Sequence, residues 1–144
     1  MYTIRFTKLN ENARVPQKAH DDDAGFDLYA SESVTVPARG FASVPTGLSI
    51  ELPEGTEAQV RPRSGLAARY GVTVLNAPGT IDAGYRGEVK VLLVNHSDTD
   101  FEAENGMRIA QLILSPVLKA RFIESEELTQ SDRGTGGFGS TGTN

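Results

Sequence analysis

Five short segments carry residue types that could bind an anionic ligand or move a proton. The first, residues 24–30, places one acid, Asp27, among alternating apolar residues. Its carboxylate could lie near a hydrated Mg²⁺, since hard cations take oxygen ligands and often bind them through water. An aspartate on the solvent face of a strand is the simpler interpretation when this segment stands alone.

The second segment, residues 61–67, gathers groups that bind anions. Arg63, Ser64 and Gly65 come where a predicted strand leads into a short helix, so a guanidinium, a hydroxyl and free backbone N–H groups converge. Glycine there permits close approach of the backbone to a ligand. A plain helix N-cap beside a surface arginine explains the same residues equally well.

The third segment, residues 76–90, predicts a β-hairpin with two strand arms around Ala83 and Gly84. Backbone donors and acceptors in fixed register could match the edge of a pyrimidine. Asp82 falls at the turn, with Tyr85 three residues later, and an aspartate so placed could orient a water for phosphoryl transfer. A turn aspartate that bonds nearby backbone is the commoner case.

The fourth segment, residues 105–114, predicts a turn followed by a buried strand, in which Gln111 has apolar neighbours. A buried amide needs hydrogen-bond partners. Those partners could belong to a ligand or to the adjacent strand, and the structural explanation is favoured for this segment alone.

The fifth segment begins at Ser131 and holds five glycines and one aromatic residue by Gly142. Such a segment cannot bury enough apolar area to hold itself in place, so it should be mobile when free. It could be a solubilising terminus. It could also be a lid in which Arg133 reaches phosphate, Phe138 stacks on a base, and residues 139–141 offer N–H and hydroxyl groups.

The elements that must position these segments are predicted to be strands. Period-2 alternation and turn-rich punctuation mark strands at residues 2–9, 34–36, 41–52, 56–61, 72–75, 88–95 and 107–118. Pro45 inside one of them indicates an edge strand or a bulge. The only helix predicted runs from Ser64 to Tyr70, with the serine as its cap. Many short strands at close spacing indicate an all-β sandwich or barrel.

Composition limits the class of protein and its partners. The 144 residues suffice for one domain, and 38% hydrophobic and 23% charged residues are typical of a soluble protein. A net charge of −5 argues against nucleic-acid binding, although a few arginines can still hold one nucleotide. We expect no membrane span and no export signal, because the apolar runs are too short. The absence of cysteine excludes disulfides and suits a reducing, cytoplasmic compartment.

Taken in order, the five segments resemble the five motifs of the trimeric deoxyuridine triphosphatases, and the match runs from Ala24 to Thr141. The resemblance implies an all-β, jelly-roll-like barrel with one short helix and a mobile glycine-rich C-terminal arm. It implies a barrel domain over residues 1–130 and a lid over residues 131–144. It also implies a cytoplasmic homotrimer whose active sites are shared between subunits, with no nucleic-acid or membrane partner.

The reaction implied is Mg²⁺-dependent hydrolysis of dUTP to dUMP and pyrophosphate, by in-line attack of water on the α-phosphorus. This activity limits uracil incorporation into DNA and supplies dUMP for dTMP synthesis. Asp82 would position the water, and Asp27 would lie near waters on a Mg²⁺ held mainly by substrate phosphates. The remaining matched residues would bind substrate: Arg63, Ser64, Gly65, Asn76, Gly79, Tyr85, Gln111, Arg133, Phe138, Gly139, Ser140 and Thr141.

Two other activities stay open on the sequence. The dCTP deaminases share this barrel and much of the hairpin, but that family has a catalytic glutamate directly after the hairpin aromatic, where this chain has Arg86. Their tail also lacks a segment like residues 133–141. A member retained as a regulatory binding protein is the second alternative. His20 and His96 fall outside all five segments, so we expect both at the surface.

Overall fold

The computed structural model describes residues 1–142, so residues 143 and 144 of the predicted lid lie outside it. Antiparallel strands dominate, which confirms the all-β prediction. In chain order the elements are β1 (Arg5–Lys8), β2 (Gly25–Tyr29), β3 (Val34–Val36), β4 (Phe41–Glu51), β5 (Thr56–Arg61), α1 (Ser64–Tyr70), β6 (Val72–Val74), β7 (Gly79–Asp82), β8 (Glu88–Asn95), β9 (Phe101–Ala103) and β10 (Arg108–Pro116).

Two four-stranded sheets share one core. Their strand orders are β1-β4-β8-β6 and β2-β10-β5-β7, and a small third sheet pairs β3 with β9. The buried cluster takes Leu28 and Leu112 from one large sheet and Val44, Val91 and Leu93 from the other. Alternate residues of β8 supply three of its buried side chains, as a period-2 pattern requires. Two sheets closed on one core give the jelly-roll-like fold that was predicted.

The first strand differs from its prediction. Alternation over residues 2–9 is typical of a half-buried strand, but all four residues of β1 are exposed and Phe6 keeps 42% of its surface accessible, so that expectation is wrong for this segment. The strand pairs with β4 on one side and forms the edge of its sheet. An edge strand outside the core can keep period-2 alternation without burying either face.

The proline of β4 marks a bulge and not an edge. β4 lies between β1 and β8, so the edge alternative is wrong. Its pairing with β8 changes register between Pro45 and Ser49, which confirms the bulge. Gly47, inside that irregular stretch, has a φ of 70°, a value that favours glycine. A proline next to a break in the ladder removes no regular hydrogen bond.

The predicted hairpin around Ala83 and Gly84 is wrong. A turn is present, because the Tyr85 N–H donates to the Asp82 carbonyl at 3.0 Å. However, the strands on its two sides belong to different sheets: β7 pairs with β5, and β8 pairs with β4 and β6. The turn therefore carries the chain from one sheet to the other. Turn residues fix the local bend, whereas core packing decides which strand pairs with which.

The helix has its predicted bounds and a different cap. Ser64 is the first helical residue, the N-cap is Arg63, and no side chain caps the helix, so the predicted serine cap is wrong. Gly71 ends the helix at a φ of 66°, and its N–H bonds the Ala67 carbonyl. Over residues 1–142, no helix is long and apolar enough to cross a membrane.

The last strand ends well before the predicted start of the lid. The Val117 N–H donates to the Gly55 carbonyl at 2.9 Å, and residues 116–135 are all exposed. An exposed connection therefore joins β10 to the glycine-rich segment. The predicted division at 130/131 stays a prediction.

Candidate functional site

Three of the five segments meet on the sheet that contains β2, β10 and β5. Gln111 on β10 lies opposite Asp27 on β2 and opposite Arg61 on β5. Two residues beyond Arg61, the Arg63 Nε lies 3.5 Å from Asp27 Oδ1. The other carboxylate oxygen, Oδ2, lies 3.7 Å from Arg108 Nη1. We call Asp27, Arg63 and Arg108 the cationic cluster, because its formal charges sum to plus one.

Gln111 holds the backbone beside this cluster. Its Nε2 donates to the Pro62 carbonyl at 3.0 Å, directly before Arg63. A Cβ at Gly25 would overlap Gln111 Oε1, so glycine makes room for the amide on the neighbouring strand. Gln111 therefore has a hydrogen-bond partner within the protein, which agrees with the structural interpretation. The amide still has hydrogen-bonding capacity beyond that one bond.

Ser64 and Gly65 offer unused donors at the start of α1. Both residues are exposed, and no side-chain hydrogen bond of the Ser64 hydroxyl occurs in the described part of the chain. A Cβ at Gly65 would meet nothing within 4 Å. The first N–H groups of a helix have no partner within the helix. Together with Arg63, these groups make the anion-binding set that the sequence indicated.

The described residues could hold a magnesium ion only together with a bound ligand. Among residues 1–142, no three His, Cys, Asp or Glu side chains lie close enough to hold a metal ion. The cluster contains one carboxylate, Asp27, whose side chain is 19% exposed between the two guanidinium groups. Mg²⁺ is commonly bound by one or two carboxylates together with substrate phosphates and waters. The residues therefore fit an ion held mainly by phosphates.

The third segment borders a separate cavity of about 310 Å³, which Asn76, Asp82 and Tyr85 line. Asp82 is exposed at the end of β7. Its backbone carbonyl closes the turn with Tyr85, while its carboxylate has no hydrogen-bond partner in the part of the chain that the structure describes. The alternative of an aspartate bonded to nearby backbone is therefore not observed. Gly79 is buried, and a Cβ there would lie 3.3 Å from Val60 Cβ.

Two neighbours of Asp82 are fixed by the turn. The Tyr85 hydroxyl donates to the Glu88 carbonyl at 2.9 Å, and the ring stays 47% exposed. A Cβ at Gly87 would overlap this ring, so glycine allows the ring to lie over the backbone. Arg86 donates to the Ala83 carbonyl at 2.7 Å and so braces the turn. No acid follows the aromatic, and nothing in this geometry favours a deaminase.

Among the side chains of this cavity that the sequence did not single out are Ser43, Glu88 and Lys90. Lys90 is exposed by the alternation of β8, which the sequence does contain. That alternation does not show that Lys90 lines the cavity, because only the fold brings β4 and β8 beside the end of β7. A larger cavity of about 630 Å³ lies near Tyr70 and His96, and of the five segments it touches only the fourth, at Met107.

The third segment does not meet the cationic cluster within one chain. Asp82 pairs with Glu57 at the start of β5, whereas Gln111 pairs with Arg61 at its end. With about 3.3 Å per residue and about 4.8 Å between strands, this register places Asp82 roughly 16 Å from Gln111. A single copy therefore holds the two groups at well-separated points of the same sheet.

The glycine-rich segment makes only local contacts. Arg133 Nε donates to the Gly136 carbonyl at 2.8 Å, and the Ser140 N–H donates to the Gly137 carbonyl at 3.0 Å. Phe138 is fully exposed with a φ of 50°. Gly139, Ser140 and Thr141 are exposed as well. Within residues 1–142, this segment shares no side-chain hydrogen bond or ion pair with the other four. His20 and His96 are exposed, as predicted.

Comparison with known proteins gives one consistent result. A family model described as dUTPase matches residues 11–142. The deoxyuridine 5'-triphosphate nucleotidohydrolase of Clostridium tetani is 55% identical to this chain, over 98% of the chain and 97% of that protein. Its counterpart from Clostridium acetobutylicum is 54% identical, over 99% of the chain and 98% of that protein.

Solved structures agree with the fold. The Staphylococcus bacteriophage 80alpha dUTPase with dUpNHpp aligns with a TM-score of 0.90 and 28% identity, over 98% of this chain and 99% of that one. The D95N mutant dUTPase from phage phi11 of S. aureus, in which a structural Mg(II) ion is coordinated, aligns with a TM-score of 0.81. Its identity is 24%, over 89% of this chain and 99% of that one, and it shows the fold alone.

Proposed function

This chain belongs to the dUTPase family, and on that premise we propose how it hydrolyses dUTP to dUMP and pyrophosphate. Asp82 orients the attacking water, residues around Asn76 and Gly79 read the base, and the cationic cluster holds the phosphates. The observation that carries the proposal is the exposed carboxylate of Asp82. It borders a cavity of about 310 Å³ and has no hydrogen-bond partner among the described residues.

Asp82 acts as the general base. A carboxylate oxygen accepts a proton from water while the oxygen of that water forms a bond to the α-phosphorus and the bond to pyrophosphate breaks. In phosphoryl transfer, most of the catalysis comes from positioning and from stabilising charge. A free carboxylate at a fixed turn supports this role, because no group among residues 1–142 competes for its oxygens.

The base and sugar are selected beside the same turn. Backbone groups near Gly79 and the amide of Asn76 pair with the edge of uracil. Cytosine would present the reverse polarity and leave buried groups unpaired, which is a strong basis for rejection. The methyl group of thymine would clash with this backbone. The Tyr85 ring, held by its bond to the Glu88 carbonyl, packs under the deoxyribose where a 2′-hydroxyl would collide.

The phosphates bind Arg63, the Ser64 hydroxyl and the Gly65 N–H, with Gln111 nearby. When bound, Mg²⁺ neutralises charge on the phosphate oxygens, and Asp27 is the carboxylate placed to bind its waters. Arg133, Gly139, Ser140 and Thr141 close over the γ-phosphate, and Phe138 covers the uracil. Closing a mobile segment over a ligand excludes water and completes the site.

We infer that the chain works as a homotrimer with shared active sites. The register distance of roughly 16 Å between Asp82 and Gln111 supports this, because one dUTP must reach both groups. Large apolar side chains of the connection are also exposed, Leu118 to 89% and Phe122 to 107%. Apolar groups that are exposed in one copy are typical of a surface that a partner covers.

Mixing two inactive variants tests the shared site. Arg63→Gln and Asp82→Asn chains, refolded together, should recover activity, because one site can take its arginine from one chain and its aspartate from another. Light scattering would give the number of copies. No recovery from a mixture of confirmed mixed oligomers would contradict the sharing of sites.

Replacing the proposed base tests the mechanism. Asp82→Asn should lower turnover on the order of 10²- to 10⁴-fold, the contribution typical of general bases. Binding of dUpNHpp should stay nearly unchanged, because the amide keeps the size of the carboxylate. Asp98→Asn is the matched control, since Asp98 is an exposed acid paired with Arg39. Unchanged turnover of the Asp82 variant would refute the role.

Two further assays test the substrate specificity and the cellular location. Pyrophosphate release should be fast from dUTP and slow from dCTP, dTTP and UTP. A cytoplasmic location is proposed as well, and the lack of cysteine supports it. Recovery of the tagged chain in a membrane or exported fraction would contradict this location.

A further inference from the structure

Arg108 lies beside Asp27 because the pairing of β10 with β2 is irregular. Gln111 pairs with Asp27 and Ala110 pairs with Leu28, so an unbroken ladder would place Ile109 opposite Tyr29. The residue opposite Tyr29 is Arg108 instead. Ile109 is therefore the extra residue of a β-bulge.

The bulge lets neighbouring residues of β10 point into the core and towards the cationic cluster. Ile109 and Ala110 are consecutive, and both are 0% exposed. A bulge lets the strand bury both side chains and still return Arg108 to the ladder. Arg108 then takes the position across from Tyr29, on the face of β2 that also carries Asp27. Bulges commonly change the direction of a side chain next to a functional site. Here the bulge directs a guanidinium to within 3.7 Å of Asp27.

The charges of the cluster depend on this placement. Each oxygen of the Asp27 carboxylate faces one guanidinium, that of Arg63 at 3.5 Å and that of Arg108 at 3.7 Å. Without Arg108, Asp27 and Arg63 would form a pair with no net charge. The Asp27 side chain is only 19% exposed, so solvent screens this pair less than a surface pair.

We propose that Arg108 is a positioning residue that pairs with Asp27 and offsets its charge, so that the cationic cluster keeps a net positive charge towards the triphosphate. The proposal rests on the proposed function of Arg63. Arg108 would act through its contact with Asp27 and would not touch the substrate. Removing Arg108 should therefore weaken triphosphate binding through Asp27.

Binding of dUpNHpp and of dUMP by calorimetry tests the proposal. Arg108→Gln should weaken dUpNHpp binding roughly tenfold, the effect of losing one charge-assisted contact, and dUMP binding much less. Arg108→Lys should recover part of the loss, because it restores the charge. Arg61→Gln is the matched control: it removes the same charge from the neighbouring strand, where Gln59 is the one partner of the Arg61 guanidinium among the described residues.

A double variant separates positioning from direct contact. In an Asp27→Asn background no carboxylate remains to be compensated, so Arg108→Gln should have little further effect. An equal loss in both backgrounds would overturn the proposal, as would dUpNHpp binding equal to that of Arg61→Gln. Thermal unfolding identifies any variant that fails to fold. If Arg108→Gln is such a variant, Arg108→Lys is used in its place. If Arg63→Gln binds dUpNHpp normally, the proposed function of Arg63 fails instead, a result distinguishable from failure at Arg108.

Discussion

In the proposed mechanism the cationic cluster and the glycine-rich segment each supply an arginine that binds phosphate, yet the two regions are held in place by different means. Arg63, between β5 and α1, is 26% exposed and contacts Asp27 on β2. Arg133 bonds the Gly136 carbonyl within its own turn. The first arginine depends on strand pairing between residues far apart in the sequence. The second depends only on contacts within a few residues.

This difference indicates two stages of binding. An arginine already fixed by its neighbours loses little conformational freedom when a ligand arrives, so it can orient the phosphates at once. A glycine-rich segment loses much more freedom when it closes. Closure should therefore depend on a correctly bound nucleotide, and reopening should release the products.

Removing the segment should have the largest effect and should separate activity from stability. Truncation after Ser131 should lower turnover on the order of 10²-fold or more, by analogy with arginines that stabilise phosphoryl-transfer transition states. The midpoint of thermal unfolding should stay unchanged, because the segment shares no side-chain hydrogen bond with the rest of the described chain. Truncation after Gly142 is the control. A large drop in the unfolding midpoint would show that the segment also holds the fold together.

Phe138→Ala should have an intermediate effect confined to the ligand. Stacking of a base on an aromatic side chain contributes about 1–3 kcal/mol, so binding of dUpNHpp should weaken about tenfold. The free protein should be equally stable, since Phe138 is fully exposed without ligand. Phe138→Tyr retains the ring and should bind normally. Equal binding of the alanine variant would mean that the segment closes without covering the base.

Gly25→Ala should have the smallest effect on turnover, and it should act through the folded state. The new Cβ would displace Gln111 Oε1 and break the Gln111–Pro62 hydrogen bond, which lowers the free energy of unfolding by about 1 kcal/mol. Turnover should fall only a few-fold, because Arg63 keeps its pairing with Asp27. Gly84→Ala is the matched control, since a Cβ there meets nothing within 4 Å. An unchanged unfolding midpoint for Gly25→Ala would show that Gln111 does not hold this region.

The sequence by itself determined several of the elements and the family. The bounds of α1, β3, β5 and β8 agree with the prediction residue for residue, because hydrophobic period and turn residues act over a few positions. The five motifs also gave the family, since a family resemblance needs only residue types in order. The burial of β1 could not be predicted in this way, because exposure depends on what the rest of the chain places over a strand.

Only the tertiary structure decided which groups meet. The two arms of the third segment, β7 and β8, entered different sheets although a turn joins them. Arg108 came to face Asp27 because a bulge on β10 displaced Ile109, and Gln111 came to hold Pro62 because Gly25 left room for it. These contacts join residues far apart in sequence. The pairing that creates them is chosen by how the two sheets fill a common core, which no local pattern encodes.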